Sequence, residues 1–183
     1  MTMYASPSFV GHSLWLIPAE PARSIFQDII DRFSFEHGTP VFGPHVTLIA
    51  GVKPEGGEAD VVSKAEKLAL ELNALSGKVE RAACKNLYFQ SVFALIAQEQ
   101  VLLDAHNTAR AMFGQDKVGV TDYMPHVSLL YGDLPMEKRE QIQQSVDATV
   151  RKKDLVLDSL QVWCTEGVVA DWKLVASMPL QKP

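Results

Sequence analysis

The sequence has few cysteines, no long apolar run and no excess of positive charge. Two cysteines, Cys84 and Cys164, occur among its 183 residues. Neither has Cys or His neighbours at the spacing of metal ligands, so we expect two reduced thiols, with a disulfide as the alternative. No apolar run approaches the roughly 20 residues of a membrane-spanning helix, so we expect no membrane partner. The first residues lack the basic region and cleavage site of a signal peptide, which predicts a cytoplasmic protein, or else a nuclear one.

Several binding and catalytic signatures are also missing. The formal net charge is −5, whereas affinity for a nucleic-acid backbone depends on lysine and arginine side chains that displace counterions. We therefore expect no stable binding to nucleic acid, although a small anion still fits a local pocket. The sequence contains no G-x-S-x-G, H-E-x-x-H or C-x-x-C, which removes the usual serine-hydrolase, zinc-protease and thiol-redox interpretations.

What the sequence does contain is the composition of a folded domain. Hydrophobic residues make up 47% of the chain and charged residues 21%, which excludes a disordered or low-complexity protein. Length alone predicts about one domain, and no linker or change in composition divides the chain. We expect a single domain over residues 1–183. Nothing in the chain requires a protein partner, so we also expect a monomer.

Strand and helix patterns alternate along the chain, in the same order twice. A predicted strand over Ser13–Pro18 precedes an amphipathic helix over Pro21–Phe33, whose apolar residues recur at helical spacing. Besides two strands that hold the motifs described next, the other predicted elements are helices over about Ala59–Leu75, over Val101–Phe113 and from near Pro135, and strands over Asn86–Ala97, Asp154–Cys164 and Ala170–Met178. These six strands and four helices predict a duplicated α+β fold, with a parallel α/β sheet as the alternative.

A short motif occurs twice, as PHVTLIAG over Pro44–Gly51 and as PHVSLLYG over Pro125–Gly132. Side chains two residues apart on a strand project from the same face. The first copy therefore presents His45 and Thr47 together, and the second presents His126 and Ser128. The valine and leucine residues between and after them point to the opposite face, which we expect to be buried. Core packing has no reason to repeat a polar pair, so the repetition favours a functional role.

Two imidazoles and two hydroxyls across a cleft suit the hydrolysis of a phosphodiester. The reaction needs a base for water, an acid for the departing oxygen, and donors for the non-bridging oxygens. Histidine titrates near pH ~6.5, so a neutral and a protonated imidazole coexist near neutral pH. Hydroxyl groups donate to phosphoryl oxygens without adding charge. We therefore predict that His45, His126, Thr47 and Ser128 form the active site.

At these residues the sequence resembles the 2H phosphoesterase superfamily, whose signature is two copies of His-x-Thr/Ser with a hydrophobic neighbour. Within it, the chain is most similar to the small cyclic phosphodiesterases of plants and fungi. The resemblance extends over SLWLIP, PHVTLIAGV, FQSVFALIA, YMPHVSLLYGDL and the closing tryptophan-containing strand. It implies a bilobal fold of two antiparallel sheets, with helices outside and the motifs facing a central groove.

The resemblance also implies a reaction and roles for individual residues. It implies metal-independent opening of ADP-ribose 1″,2″-cyclic phosphate, a by-product of tRNA splicing, and of nucleoside 2′,3′-cyclic phosphates, with no cofactor. His126 would activate water, and His45 would protonate the leaving oxygen. Tyr131 matches an aromatic residue that contacts the phosphate, although its odd offset requires the strand to twist or end first. Trp15 matches a position suited to stacking on a nucleobase.

Two other functions remain as alternatives. One is an RNA-end processing enzyme similar to 2′-5′ RNA ligases, which would favour a basic groove and is disfavoured by the net charge of −5. The other is a nucleotide-binding module without turnover, although such a domain would be expected to lose a motif histidine. The remaining histidines, His12, His37 and His106, lack a partnered motif, and Tyr123 is assigned to packing or to the mouth of the groove.

Overall fold

The structure, a computed structural model, describes residue 7, residues 10–119 and residues 122–182. Within these residues the chain forms seven strands and four α-helices. The strands are β1 (His12–Pro18), β2 (Val46–Val52), β3 (Leu75–Cys84), β4 (Val92–Ile96), β5 (His126–Leu130), β6 (Asp154–Cys164) and β7 (Lys173–Pro179). The helices are α1 (Ala22–His37), α2 (Glu58–Glu71), α3 (Gln100–Met112) and α4 (Met136–Val150), and single 3₁₀ turns occur at Tyr88–Gln90 and Val169–Asp171.

All strand pairs are antiparallel, and they join into one sheet in the order β1-β2-β5-β4-β3-β6-β7, with β1 also paired to β6. The predicted α+β class is thereby confirmed, and the parallel alternative is wrong. The resemblance implied two sheets, whereas the seven strands form one continuous sheet. The sheet is continuous because β6, with 11 residues, is long enough to pair with strands of both motif halves. Its first residues pair with β3, and the remainder lies between β1 and β7.

The helices cover the outside of this sheet. Helix α1 packs against β5 and β1, and α4 packs against β3 and β4. Helix α2 covers β6 and β7, while α3 lies over β2 and β3. The valine and leucine residues of the two motifs are fully buried beneath the helices, as predicted: Val46, Leu48, Val127 and Leu129. None of the helices in the described part of the chain combines the length and apolar character that a membrane span requires.

Four predicted element boundaries are wrong. The helix expected to end at Phe33 continues to His37. The helix expected to reach Leu75 ends at Glu71, and the next ten residues from Leu75 form β3, a strand that the sequence analysis missed. Its residues alternate between buried and exposed, but they include glycine, alanine and charged side chains that give a weak strand signal. The strand expected from Asn86 begins at Val92, after the first 3₁₀ turn. The strand expected from Ala170 begins at Lys173, after the second 3₁₀ turn.

The two motif strands lie next to each other but share few backbone contacts. Strands β2 and β5 are paired in register at Val46 and Val127. In contrast, β5 pairs with β4 at four positions, and β2 pairs with β1 at four positions. The junction between the two motif strands is therefore the point of the sheet with the least backbone pairing, and it lies directly behind the motif histidines.

Candidate active site

A cavity of about 160 Å³ opens between the two motif strands. It is lined by Ser13, Trp15, His45, Thr47, Ala50, Phe89, Gln90, His126, Ser128, Tyr131, Thr165 and Trp172. All six residues that the sequence analysis selected are therefore brought together around one space. The neighbours that it did not select come from β1, from Ala50 of β2, from the 3₁₀ turn at Tyr88–Gln90 and from the region between β6 and β7.

The backbone repeats itself around the two motifs. His45 directly precedes β2, and His126 is the first residue of β5. A register shift of one residue follows the hydroxyl residue on both strands, so each motif strand bulges at the same point. The pairs that flank this shift are Trp15–Thr47 and Leu14–Ile49 in one half, and Phe93–Ser128 and Val92–Leu130 in the other.

Both motif histidines are held by the backbone two residues upstream. Nδ1 of His45 lies 2.7 Å from the carbonyl oxygen of Gly43, and Nδ1 of His126 lies 2.9 Å from that of Met124. A carbonyl oxygen only accepts, so Nδ1 carries the proton in both rings. This tautomer leaves Nε2 of each ring as the nitrogen that accepts a proton when the imidazole is neutral and donates one when it is charged.

Burial shifts the protonation of both histidines. Loss of hydration lowers the pKa of His45 to about 4. The hydrogen bond to Gly43 raises this pKa by a smaller amount, and the nearby His126 lowers it further. The pKa of His126 is also lowered, first by burial, with the charge of Lys85 acting in the same direction. Both imidazoles are therefore neutral near pH 7 in the ligand-free protein.

The two motif hydroxyls differ in their surroundings. Ser128 is buried, and its Oγ donates to the carbonyl oxygen of Phe89 at 3.2 Å. Thr47 is half-buried, and its backbone carbonyl accepts a hydrogen bond of 3.2 Å from the hydroxyl of Tyr123. Both side chains line the cavity, where their hydroxyl groups are within reach of a bound anion.

Tyr131 reaches the cavity because β5 stops one residue before it, at Leu130. This strand end is the irregularity that the odd offset from His126 required. The ring of Tyr131 stacks on Phe42, with 3.8 Å between the ring centroids. Burial raises the pKa of the Tyr131 phenol, so the group stays protonated and is able to donate a hydrogen bond at physiological pH.

Trp15 lines the cavity, but other rings stack on its indole. Strand β1 lies between β2 and β6, so neighbours approach the indole from both sides. His45 stacks on it with 3.6 Å between centroids, and Trp163 stacks on it with 4.6 Å. Only 3% of Trp15 is exposed. The indole therefore supports the imidazole of His45, a contact that alternation along β1 alone does not reveal.

Two residues that the sequence analysis did not promote support the first motif from behind. The imidazole of His106 stacks on the ring of Tyr123, with 3.9 Å between centroids. Nδ1 of His106 lies 2.5 Å from the carbonyl oxygen of Leu48, next to the bond from Tyr123 to the carbonyl of Thr47. Loss of hydration lowers the pKa of His106. His106 lies on α3, which is far from the first motif in the sequence.

The histidines His12 and His37 and the two cysteines lie outside the cavity lining. His12 contacts Glu58 at 3.2 Å, and His37 lies in the last turn of α1. Cys84 and Cys164 are both free thiols, in agreement with the preferred interpretation of the sequence. Among the residues that the structure describes, no group of three or more His, Cys, Asp or Glu side chains has the arrangement of a metal site.

The chain is similar in sequence to proteins of known class. The profile of a family described as cyclic phosphodiesterase-like protein matches residues 10–180. The chain belongs to this family. It is 29% identical to a cyclic phosphodiesterase of Arabidopsis thaliana over 171 residues, which cover 90% of this chain and 92% of the relative. It is 27% identical to a 2′,3′-cyclic-nucleotide 3′-phosphodiesterase of Phaeosphaeria nodorum over 136 residues, 68% of this chain and 70% of the relative.

Solved structures have the same fold at low sequence identity. TT0787 of Thermus thermophilus superposes with a TM-score of 0.61 at 15% identity, and the match covers 94% of this chain and 99% of that protein. LigT of E. coli, in a complex with 3′-AMP, has a TM-score of 0.54 at 13% identity, with 94% and 98% covered. These neighbours confirm the predicted 2H phosphoesterase fold. Family membership and the names of the relatives also confirm the predicted class of enzyme, a cyclic phosphodiesterase.

Proposed function

We propose that this cyclic phosphodiesterase opens the cyclic phosphate of small nucleotides without a metal ion. The substrates would be ADP-ribose 1″,2″-cyclic phosphate, which gives ADP-ribose 1″-phosphate, and nucleoside 2′,3′-cyclic phosphates, which give 2′-phosphates. The observation that carries the proposal is the pair of His45 and His126, both at one cavity and both with Nδ1 bound to a backbone carbonyl. The names of the plant and fungal relatives support the same class of substrate.

The proposed step on a 2′,3′-cyclic phosphate breaks the bond between phosphorus and O3′. Water attacks phosphorus, and one histidine takes its proton through Nε2. The other histidine, protonated, gives its proton to O3′ as that oxygen departs. Thr47 and Tyr131 donate hydrogen bonds to the non-bridging oxygens, on which charge develops in the transition state. The single hydroxyl proton of Ser128 would turn from the Phe89 carbonyl to donate to the same oxygens. Water supplies the hydroxyl group that is added to phosphorus. The base then holds the proton taken from water and the acid has lost one, so one proton passes between the two rings through solvent before the next turnover.

Either of the two motif histidines has the chemistry to act as the base. The family resemblance assigns water activation to His126 and protonation of the leaving oxygen to His45. Burial lowers the pKa of both rings in the ligand-free protein, to about 4 for His45, so each ring starts in the neutral form that a base requires. An anionic phosphodiester in the cavity raises the pKa of both rings, and the assignment then depends on which ring faces O3′.

An analogue with sulfur in place of O3′ separates the two assignments. A thiolate leaves without protonation, so the variant that lacks the general acid should regain turnover on the analogue. If His45 is the acid, His45→Ala is rescued and His126→Ala is not. If His126 is the acid instead, the rescue appears in His126→Ala and not in His45→Ala. Loss of turnover on the analogue in both variants would contradict a simple division into acid and base.

The rest of the nucleotide would lie at the mouth of the cavity. A space of about 160 Å³ accommodates the cyclic phosphate and part of a ribose rather than a whole nucleotide. Phe89 and Trp172 line this space and are half-buried, whereas Trp15 is covered on both faces. We therefore transfer the proposed base contact from Trp15 to Phe89 and Trp172, where stacking is worth about 1–3 kcal/mol per base.

The direct test is incubation of the purified protein in excess EDTA with each proposed substrate. ADP-ribose 1″,2″-cyclic phosphate and the four nucleoside 2′,3′-cyclic phosphates would be followed separately by phosphorus NMR, which identifies the product isomer. We expect the 1″- or 2′-monophosphate in each case. Absence of turnover by the folded protein on all five substrates would contradict the proposal. Turnover that EDTA abolishes and a divalent metal restores would contradict the metal-independent mechanism.

A further inference from the structure

A single arginine is buried beside the candidate active site. Arg139 lies in the first turns of α4, and 1% of its surface is exposed. It is among the largest fully buried side chains of the described residues. A guanidinium group stays charged at all ordinary pH values, and burying a charge is costly unless hydrogen bonds compensate. Its partners therefore indicate what the buried charge does.

The partners of Arg139 come from two separate segments. On one side, Nε donates to the carbonyl oxygen of Leu134 at 2.7 Å, and Nη2 lies 3.4 Å from a carboxylate oxygen of Asp133. On the other side, Nη1 donates to the carbonyl oxygen of Lys85 at 2.6 Å and lies 3.5 Å from that of Leu87. The guanidinium thus joins the segment 131–135, which follows β5, to the segment 85–91, which precedes β4.

These two segments supply one wall of the cavity. Tyr131 comes from the first segment, and Phe89 and Gln90 come from the second. The amide of Gly132 donates to the carbonyl oxygen of Tyr88 at 3.0 Å, which adds a direct bond between the segments. The position of each segment is therefore fixed by the other and by Arg139.

The same segments hold the hydroxyl of the second motif. The carbonyl oxygen of Phe89 accepts the hydrogen bond of Ser128, and the ring of Phe89 lies edge-on to Tyr131 with 5.1 Å between centroids. A displacement of the 85–91 segment would therefore move the acceptor of Ser128 and the ring against Tyr131 together. Ser128 and Tyr131 are both residues that we propose to contact the phosphate.

We propose that Arg139 is a positioning residue, which sets the phosphate-binding groups Ser128 and Tyr131 by joining the 85–91 and 131–135 segments. The inference rests on the proposed function. It requires arginine specifically, because the planar guanidinium presents donors in several fixed directions, whereas lysine has one compact ammonium group on a flexible stem. A lysine at this position keeps the charge but does not reach both segments in the same geometry.

Arg139→Lys tests this role, with Arg151→Lys as the matched control. Arg151 follows the same helix, and its guanidinium contacts Asp147 at 2.7 Å at the surface, outside the cavity lining. We expect Arg139→Lys to lower kcat on nucleoside 2′,3′-cyclic phosphates by at least roughly tenfold, since a misplacement of about 1 Å can cost up to ~10²-fold. Arg151→Lys should match the wild type. An unchanged kcat in Arg139→Lys would overturn the proposal.

A double variant distinguishes positioning from general destabilisation. If Arg139 acts through Tyr131, then Arg139→Lys adds little to the loss already present in Tyr131→Phe, because interacting residues are not additive. If Arg139 only stabilises the fold, the two losses multiply and follow the fraction of folded protein measured by circular dichroism. Multiplied losses would therefore overturn the proposed role.

Amide hydrogen exchange gives a readout that does not depend on turnover. We expect faster exchange at Gly132 and Gln90 in Arg139→Lys, and unchanged exchange in β1 and β6. If Arg139→Lys does not fold, Asp133→Ala removes only the half-exposed partner and should produce a weaker version of the same pattern. Unchanged exchange in both segments would overturn the joining role. Wild-type protein without turnover would contradict the proposed function, and exchange would still test the role of Arg139.

Discussion

The two halves of the candidate active site have the same backbone and different neighbours. In each half, a histidine donates from Nδ1 to the carbonyl two residues upstream, and a bulge follows the motif hydroxyl. In each half, an aromatic residue of the adjacent strand is paired with that hydroxyl residue, namely Trp15 with Thr47 and Phe93 with Ser128. The duplicated sequence thus produces a duplicated frame.

The aromatic neighbours then make the two histidines unequal. Trp15 lies flat against His45, with an angle of 6° between the rings, whereas Phe93 meets His126 at 66° with 5.2 Å between centroids. His45 is 5% exposed, while His126 is half-buried. Burial accordingly lowers the pKa of both rings and holds that of His45 at about 4. Duplication thus supplies the shared geometry, and the non-repeated aromatic residues give the two histidines different ring contacts and different exposure.

The largest expected effect comes from removing either histidine. His45→Ala and His126→Ala should each lose roughly 10²–10⁴-fold in kcat, the range for general acid and base groups. His37→Ala makes the same chemical change at the end of α1, outside the cavity lining, and should retain wild-type kcat. Steady-state kinetics on nucleoside 2′,3′-cyclic phosphates measure all three. Substantial turnover in one of the two motif variants would mean that the halves do not share the reaction.

The motif hydroxyls should give the next largest effect, and an unequal one. Thr47→Val and Ser128→Ala each remove a proposed donor to the phosphoryl oxygens, a change that costs up to roughly 10²–10³-fold in kcat at comparable sites. We expect the greater loss in Ser128→Ala, because this change also removes the bond to the Phe89 carbonyl. Thr108→Val on α3 and Ser145→Ala on α4 are matched controls. Equal losses would mean that the bond to Phe89 has no influence on catalysis.

The sequence predicted the repeated frame but not the contacts that distinguish its halves. Alternation along the strands places His45 and Thr47 on one face and Val46 and Leu48 on the other, and the structure agrees. Such a pattern depends on neighbouring residues within one strand. For the same reason the bounds of β6 were predicted correctly, because its 11 residues carry a continuous strand signal.

Contacts between distant segments lie outside what such patterns predict. Arg139 bonds to the carbonyl of Lys85, 54 residues away, and His106 bonds to that of Leu48, 58 residues away. Backbone carbonyls occur at every residue, so no residue type marks these acceptors in the sequence. The covering of Trp15 by Trp163 likewise depends on the pairing of β1 with β6. The groups that hold the site are therefore identified by topology, whereas the motif groups are identified by spacing.

The difference between the two histidines should also appear in the pH dependence of stability. The pKa of each ring is lower in the folded protein than the unfolded value of ~6.5, so the unfolded chain binds more protons below that pH. Stability is then complete above about pH 6.5 and falls as the pH drops towards 4. His45 alone contributes roughly 3 kcal/mol to this fall, since one pKa unit corresponds to about 1.4 kcal/mol.

Urea unfolding of His45→Gln and His126→Gln between pH 4 and 7.5 measures the two contributions. The relevant quantity is the slope of the unfolding free energy against pH, because the substitutions also change packing. We expect the slope to decrease in both variants and to decrease more in His45→Gln. His37 and His106, whose pKa values are also lowered, contribute equally in both and cancel. A larger decrease in His126→Gln would reverse the comparison of the two halves.

The smallest expected effect concerns how the first motif strand is supported. Strand β2 pairs with β1 at four positions, as β5 does with β4, and its carbonyl oxygens also accept side-chain hydrogen bonds from Tyr123 and His106. Tyr123→Phe removes one of these bonds, from the phenol to the Thr47 carbonyl, and keeps the ring that stacks on His106. We expect a loss of about 1 kcal/mol in the free energy of unfolding, the usual contribution of one hydrogen bond, and a decrease in kcat of only a few-fold.

Because the bond acts on the Thr47 half, the decrease in kcat should vanish in a Thr47→Val background and persist in a Ser128→Ala background. The same decrease in both backgrounds would show that the support is shared by the two halves, so the asymmetry would lie in the aromatic neighbours of the histidines alone.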